Sequence, residues 1–161
     1  MNSGIRLILD NLSVSFTKFL DPKFPRARAI DGGKLEYSAA GCSIGDGPVF
    51  EQPHLWTFSV YCSEDDMRIL GAMYHESDTR RRQLPQLNTE LTLIDKVREY
   101  QERAPRTRVI APGTSEVMVG ASHVSYFAQF HVWFVAEPEF DKAGDKRIAH
   151  LSFQETEKFA V

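Results

Sequence analysis

Much of the sequence alternates apolar and polar residues with a period of two, which is the pattern of strands with one buried face. The alternation is strongest over His54 to Cys62 and over Ser125 to Val135, where large apolar side chains occupy every second position. These two segments predict the main strands of a sheet. Shorter alternating segments predict further strands at 5–9, 12–17, 35–39 and 90–95.

One segment, about residues 64–80, has the period of a helix instead. Ser63 is a good N-cap residue, and the three acidic residues that follow it lie at the positive end of the helix dipole. Apolar residues then recur at spacings of three and four: Met67, Leu70, Met73 and Tyr74. We expect this helix to pack across the sheet.

The last part of the chain has the pattern of a β-hairpin over about Phe127 to Phe153. Pro138 ends the first strand, and residues 141–145 have the composition of a hairpin loop. The alternation resumes over Ile148 to Glu155. This second strand is expected to pair antiparallel with the first.

The elements together predict the fold class. No segment repeats, and the strands do not alternate with helices as they do in parallel βαβ folds. A chain of 161 residues is short enough for a single core. The sequence therefore predicts one mainly β domain over residues 1–161, an antiparallel β-sandwich or split barrel with one α-helix packed across it.

Three long polar segments interrupt the strands, at residues 21–33, 41–53 and 96–113. The first two are dense in glycine and proline, which resist regular structure. Loops of this length exceed what a compact domain needs, and such loops often contact other chains. We expect contacts between chains at 21–33, at 41–53 and at Arg106 to Gly113.

The charge of the chain excludes some partners. A net charge of −3 and a pI of about 5.9 provide no basic field that would hold nucleic acid. The basic run Arg80 to Arg82 lies beside Glu76 and Asp78, which is typical of a solvated face or a protein contact. No apolar run approaches the roughly 18 residues that a membrane-spanning helix needs. Neither specific nucleic-acid binding nor membrane insertion is expected.

Residues that bind metals are few and poorly spaced. Cys42 and Cys62 do not form a Cys-x-x-Cys pair, and we interpret both as small buried hydrophobic residues. No two histidines lie three or four residues apart. His131 and His150 could meet across the predicted hairpin, where opposed Cβ atoms are roughly 5 Å apart, but no third ligand is evident.

The sequence contains one match to a catalytic motif. Residues 41–45 match G-x-S-x-G, which in hydrolases lifts a nucleophilic serine, here Ser43, at a tight turn between a strand and a helix. The Asp-Gly-Pro sequence at 46–48 cannot open that helix. A hydrolase that uses Ser43 with His54 or His123 is therefore disfavoured.

Two groups of carboxylates could in principle share acid and base roles. The group at 64–66 is explained by helix capping, and Glu137 with Glu139 flanks the end of a strand at Pro138. We therefore assign no catalytic, cofactor-binding or metal-binding residue, and we do not expect the chain to be an enzyme.

Aromatic residues crowd the two strongest strands, and a helix covers only one face of a sheet. Phe127, Trp133 and Val135 share the alternate face of the second strand. Either a second sheet of the same chain or a neighbouring subunit would cover them.

The order of these elements resembles phage minor tail and distal-tail hub proteins. The likeness covers about Leu35 to Glu155. It rests on a glycine-rich loop, the strand at 56–60 leading into a helix over Ser63 to Leu70, and a final strand, 151–155, that ends in glutamate. The resemblance implies a β-sandwich or split-barrel protomer that forms a ring, commonly sixfold, and catalyses nothing. Such a ring lies in the virion between the tail tube and tail-tip or baseplate proteins, after assembly in the host cytoplasm.

The segment Lys96 to Gly113 does not map onto the pattern of that family. We interpret it as an arm that contacts a neighbouring subunit. A second function is also open, that of a monomeric β-barrel or sandwich that binds a small apolar ligand in an aromatic-lined interior. The long polar loops favour assembly over an enclosed ligand.

Overall fold

A computed structural model describes residues 4–20, 26–28, 35–37, 43–45, 53–83 and 90–156. Within these ranges the chain is mainly β, with antiparallel sheets and one helix, which confirms the predicted fold class. The elements are β1 (Ile5–Leu9), β2 (Leu12–Phe16), β3 (Arg26–Arg28), β4 (Leu35–Tyr37), β5 (Ser43–Gly45), β6 (His54–Cys62), α1 (Glu64–Arg82), β7 (Leu91–Asp95), β8 (Tyr100–Arg103), β9 (Val117–Val119), β10 (His123–Tyr126), β11 (Gln129–Phe134), β12 (Glu139–Ala143) and β13 (Lys146–Glu155).

An eight-stranded antiparallel sheet forms the body of the described structure. Its strands follow the order β2-β1-β7-β11-β13-β6-β3, and β12 pairs with β13 beside β11. Strands β8, β10 and β9 form a second sheet of three strands, and β4 pairs with β5. The longest pairing joins β13 to β6, from Arg147 opposite Cys62 to Gln154 opposite Leu55.

The large sheet closes on itself. Strand β2 lies at one end of the strand order and β6 lies near the other end. Residues that follow β2 pair with β6: Tyr61 N donates to Lys18 O, and Leu20 N donates to Ser59 O, both at 3.0 Å. A β-bridge joins Phe19 to Val60 between these bonds. The sheet therefore has the closure of a split barrel.

Alternation along the strands places one side chain in two inside this barrel. The interior is filled by large aromatic and aliphatic residues, several of which have no exposed surface. Trp56 and Phe130 pack edge to face with ring centroids 4.8 Å apart, and Phe134 lies 4.9 Å from Phe153. The largest fully buried side chains are Trp56, Tyr126, Phe16, Phe130, Phe153, Ile5, Leu7, Leu70, Met73, Leu91, Leu93 and Val60.

Helix α1 begins where the sequence predicts and ends two residues later, at Arg82. Ser63 Oγ accepts from Asp66 N, and the Asp66 carboxylate accepts from Ser63 N, which completes a capping box. The helix packs on β2, β11 and β13 and buries Leu70 and Met73. Tyr74 meets Phe134 edge to face at 5.4 Å. The described helix is not apolar enough to cross a membrane.

The predicted C-terminal hairpin is confirmed, with two corrections. Strands β11 and β12 both pair antiparallel with β13, so the first strand resumes at Glu139 after Pro138. The predicted loop at 141–145 shrinks to a turn at Gly144 and Asp145, because Gly144 adopts a φ of 62° that suits a two-residue hairpin turn. The alternating segment 125–135 is also not one strand, since β10 and β11 belong to different sheets.

The three predicted loops contain short strands. Strand β3 lies in the segment 21–33 and β5 lies in 41–53. Apart from these two strands and residue 53, both segments fall outside the described residues. The predicted strand at 35–39 is present as β4 over its first three residues. The prediction of an irregular loop at 96–113 is wrong in part, because β8 lies within it.

Candidate subunit interface

The three-stranded sheet has the most unusual surface. We call this sheet together with its connecting residues, 100–126 in all, the arm. Its central strand β10 pairs antiparallel with β8 on one side and β9 on the other. Side chains opposite one another in such pairs lie on the same face. The arm therefore has an inner face toward the barrel and an outer face.

The outer arm face combines apolar and basic side chains in two rows. Arg103, His123 and Val119 form one row, and Gln101, Ser125 and Val117 form the other. Within the second row Ser125 is buried, and its hydroxyl donates to the carboxylate of Glu99. Val117 is 57% exposed and Val119 is 46% exposed. Met118, between them on the opposite face, is 54% exposed, so the whole edge strand β9 is apolar and accessible. An accessible apolar edge strand is a ready site for association with another chain.

The inner arm face is fastened to one end of the barrel by aromatic contacts. Tyr100 meets His54, Tyr126 and Phe130 edge to face, with centroid distances of 5.4, 6.0 and 6.1 Å. The Arg108 guanidinium lies over the Tyr100 ring, 4.5 Å from its centroid. Edge-to-face and cation–π contacts of this kind fix the ring in one orientation.

Beneath these rings the carboxylate of Glu155 links the arm to the barrel. Its Oε1 accepts from the Arg108 guanidinium at 2.6 Å, and its Oε2 lies 2.8 Å from His54 Nδ1. Because an ionised carboxylate is only an acceptor, His54 Nδ1 carries the hydrogen of that bond. All three side chains are buried. Burial makes the mutual partners essential, since a charge left there without its partner is costly.

A second buried ion pair lies nearby, between Arg26 of β3 and Asp95 of β7, at 3.3 Å. The Asp95 carboxylate also accepts from Trp56 Nε1, and Arg26 donates to the backbone carbonyl of Glu99, the residue just before the arm. Burial lowers the pKa of Arg26, and the charge of Asp95 opposes that shift. A cleft of about 460 Å³ opens here, lined by Arg26, Ala27, His54, Arg98, Glu99, Tyr100 and Gln101.

A third polar contact holds the arm together internally. Tyr126 Oη donates to Glu102 Oε1 at 2.6 Å and accepts from Arg108 N at 3.2 Å. Glu102 also accepts from the backbone and the hydroxyl of Thr107. Burial, followed by the bond to Glu102, raises the pKa of Tyr126 well above its ordinary value.

The histidines singled out from the sequence are not brought together. His131 lies opposite Thr92 with its Nδ1 3.9 Å from Glu90, whereas His150 lies opposite Ser59. The possible pairing of His131 with His150 across the hairpin is therefore wrong, because the register of β11 on β13 separates them. Among the described residues, no three His, Cys, Asp or Glu side chains are grouped to hold a metal ion.

His150 instead takes part in a chain of hydrogen bonds on the barrel surface. Ser59 Oγ lies 2.6 Å from His150 Nδ1, and Asp141 Oδ2 lies 2.7 Å from His150 Nε2. These groups match the order of a serine nucleophile, a base and an orienting acid. Ser59, however, lies in the middle of β6, which is paired on both edges, rather than at a turn or helix start that presents backbone donors to an oxyanion. The arrangement is that of a cross-strand polar ladder.

The G-x-S-x-G segment has a different context from a hydrolase turn. Ser43 begins β5, which pairs with β4, and Gly41 and Cys42 lie outside the described residues. His54 is bonded to Glu155, and His123 Nδ1 lies 2.8 Å from Ser122 Oγ on the arm. The strand at Ser43 is not the strand-to-helix turn that the motif requires.

Other residues named from the sequence have ordinary roles. Arg80 pairs with Glu76 and Asp10, and Asp78 accepts from Arg81 and Arg82, bonds that lower the pKa of the Asp78 carboxyl. Cys62 is half-buried against the core, and burial raises the pKa of its thiol.

Of the two alternatives for the face shared by Phe127, Trp133 and Val135, a second sheet of the same chain does not cover Trp133 or Val135. Trp133 is 42% exposed and Val135 is 51% exposed, whereas Phe127 is half-buried. The open alternative was a neighbouring subunit, and this stays a prediction.

The buried charges were missed from the sequence, although it carries a signal of them. In β7, the alternate buried positions are Leu91, Leu93 and then Asp95. In β13 they are Leu151, Phe153 and then Glu155. A carboxylate at the next buried position after a series of apolar residues, at the end of a strand, indicates that it has a buried partner. No local pattern identifies Arg26 or Arg108 as that partner.

No protein-family model matches the chain, and no curated protein sequence is significantly similar to it.

Replacing Glu155 with Gln is expected to lower the free energy of unfolding by about 3–5 kcal/mol, because it removes the carboxylate partner of the buried Arg108. Urea unfolding followed by tryptophan fluorescence measures this. The matched control is Glu116→Gln, which removes an exposed pair with Arg106 and should cost less than about 1 kcal/mol. Equal losses in the two variants would contradict a buried anchor at Glu155.

Stability is expected to fall above about pH 10, where unfolded tyrosine ionises but Tyr126 in the folded protein keeps its proton. Because the pKa of Tyr126 is higher in the folded protein, its contribution to stability is fully present below the pKa of tyrosine in the unfolded chain. That contribution is lost as the pH rises from there toward the pKa in the folded protein. Tyr126→Phe should show a shallower loss of unfolding free energy between pH 9.5 and 11 than the unmodified chain. Parallel slopes would show that this hydroxyl is not the cause.

Proposed function

We propose that this chain is a structural subunit of a bacteriophage tail, which assembles with copies of itself into a ring at the tail tip or baseplate. The observation that carries the proposal is the outer arm face, where Val117 and Val119 are accessible beside Arg103 and His123. The order of elements along the sequence, which resembles tail hub proteins, supports the same function.

The outer arm face suits association better than exposure to water. β9 carries three consecutive large apolar residues with accessible surface, and among the described strands it has no partner on its outer edge. A chain that stayed monomeric would gain nothing from this arrangement and would risk non-specific aggregation. Covering β9 with a second protein surface removes that risk, which supports an assembly role.

The arm is also held against the barrel by buried contacts. Its inner face is held by the buried Glu155 bonds and by the rings around Tyr100, so we expect the outer face to move little relative to the barrel. A rigid surface loses less conformational entropy when it binds than a flexible loop does. This rigidity supports a permanent structural contact.

The proposed role is not enzymatic. The polar ladder of Ser59, His150 and Asp141 lacks a turn or helix start beside the serine, and Ser43 lies in a strand. The proposed partners are further copies of the chain and other tail or baseplate proteins, in the virion and, during assembly, in the host cytoplasm.

The alternative, a monomeric barrel that binds a small apolar ligand, has no specific observation in its favour. Aromatic and aliphatic side chains fill the described barrel interior, and the 460 Å³ cleft is lined mainly by polar and charged residues. A preformed apolar pocket is the usual requirement for such a ligand.

Replacing Val117 and Val119 together with Ser is expected to lower the solution mass of the assembly toward the 18.3 kDa of a single chain. The measurement is light scattering over a concentration series, with electron microscopy of the unmodified protein to show rings. Because both side chains are exposed, unfolding free energy should change by less than about 1 kcal/mol.

The control is Val109→Ser, since Val109 is 58% exposed but lies outside the outer arm face. This variant should assemble like the unmodified chain. A mass of 18.3 kDa at every concentration for the unmodified chain would contradict assembly through copies of itself.

A further inference from the structure

A second accessible surface follows the end of β11 and the start of β12. Trp133 and Val135 point away from the barrel interior and are followed by the exposed Glu137 and Glu139. We call these four residues the β11–β12 surface. Pairing of β11 with β7 ends at Val132, so among the described strands no partner lies along this edge beyond that residue.

The β11–β12 surface is acidic. Glu137 and Glu139 form no ion pair with any described residue, and Asp141 adds a third exposed carboxylate on β12. Its composition is thus two large apolar side chains followed by carboxylates. The outer arm face has two apolar side chains beside Arg103 and His123, and Arg103 supplies the charge complementary to these carboxylates.

The two surfaces lie at opposite ends of β11. The arm joins the start of this strand, where Gln129 N donates to Val109 O and Ile110 bridges Ala128. The β11–β12 surface begins near the other end, at Trp133, four residues or roughly 13 Å along the strand from Gln129. Within one chain the two surfaces therefore lie apart, and those of two copies are free to meet.

We infer that the outer arm face of one copy docks on the β11–β12 surface of the next copy. Val117 and Val119 pack against Trp133 and Val135, and Arg103 faces the carboxylates of Glu137 and Glu139. This inference rests on the proposed function and names the partner surface within it.

Docking of two different surfaces has a consequence for symmetry. Each copy uses its arm toward one neighbour and its β11–β12 surface toward the other, so the contact repeats head to tail. Such a contact gives a ring when the rotation between neighbours closes and a filament when it does not. A twofold dimer through β9 alone would instead leave the acidic surface uncovered.

Charge reversal tests the inference. Arg103→Glu alone, and Glu137→Lys with Glu139→Lys alone, should each raise the concentration at which the full chain assembles by at least about tenfold, because like charges then face each other. Mixing the two variants should restore assembly, since every contact in an alternating chain then pairs opposite charges. Light scattering and sedimentation velocity report the mass in each case.

Arg6→Glu is the matched control, because Arg6 is an exposed strand residue on β1 outside both surfaces and should leave assembly unchanged. If the reversed variants assemble like the unmodified chain while the Val117 and Val119 variant does not, the inference is overturned and the proposed function stands. If each reversed variant is weak but their mixture stays dissociated, the two surfaces are not partners. A monomeric unmodified chain would overturn both.

Discussion

The buried carboxylate of Glu155 is the interaction on which the position of the arm depends. It receives a guanidinium from the arm on one oxygen and an imidazole from the barrel on the other. Glu155 is separated by 47 residues from Arg108 and by 101 residues from His54, so one side chain joins three distant parts of the chain. The cost of burying these charges is offset only while all three side chains are in place. The three partners therefore fix the arm at one position on the barrel.

The closure of the sheet is the second constraint. The segment that begins as β2 pairs with β1 first and with β6 a few residues later, so it belongs to both ends of the strand order. This shared segment forces the sheet to curl around its aromatic interior. The helix α1 packs beside Phe134 at one end, and the arm packs beside Phe130 at the other, where the buried ion pairs lie.

The features predicted from sequence are those with local causes. The cap at Ser63 depends on its neighbour Asp66, and the alternation of β6 depends on burial of every second side chain, so both are readable in a short window. The break between β10 and β11 is not readable in this way. Alternation continues across Phe127 and Ala128, and a period of two does not say which sheet a strand joins.

The proposed interface was predicted from the sequence only in outline. The segment 96–113 was interpreted as a contacting arm because it is long and does not map onto the pattern of the tail proteins, yet the valines of the outer arm face lie just beyond it, in β9. In a sequence, three consecutive apolar residues indicate a buried segment of the core. Their exposure follows from their place on the outermost strand of a small sheet, which depends on pairing with β10 and hence on the tertiary fold.

The position of β13 has a consequence for how the molecule forms during synthesis. This strand is last among the described elements, yet it lies inside the sheet, where it joins β6 on one edge to β11 and β12 on the other. A ribosome therefore releases every other described strand before the one that joins them. Until β13 arrives, β6 and β11 present open edges, and Glu155 has not reached the arm. Long-range pairings of this kind fold slowly, so the large sheet stays incomplete, with open strand edges, until β13 has been added.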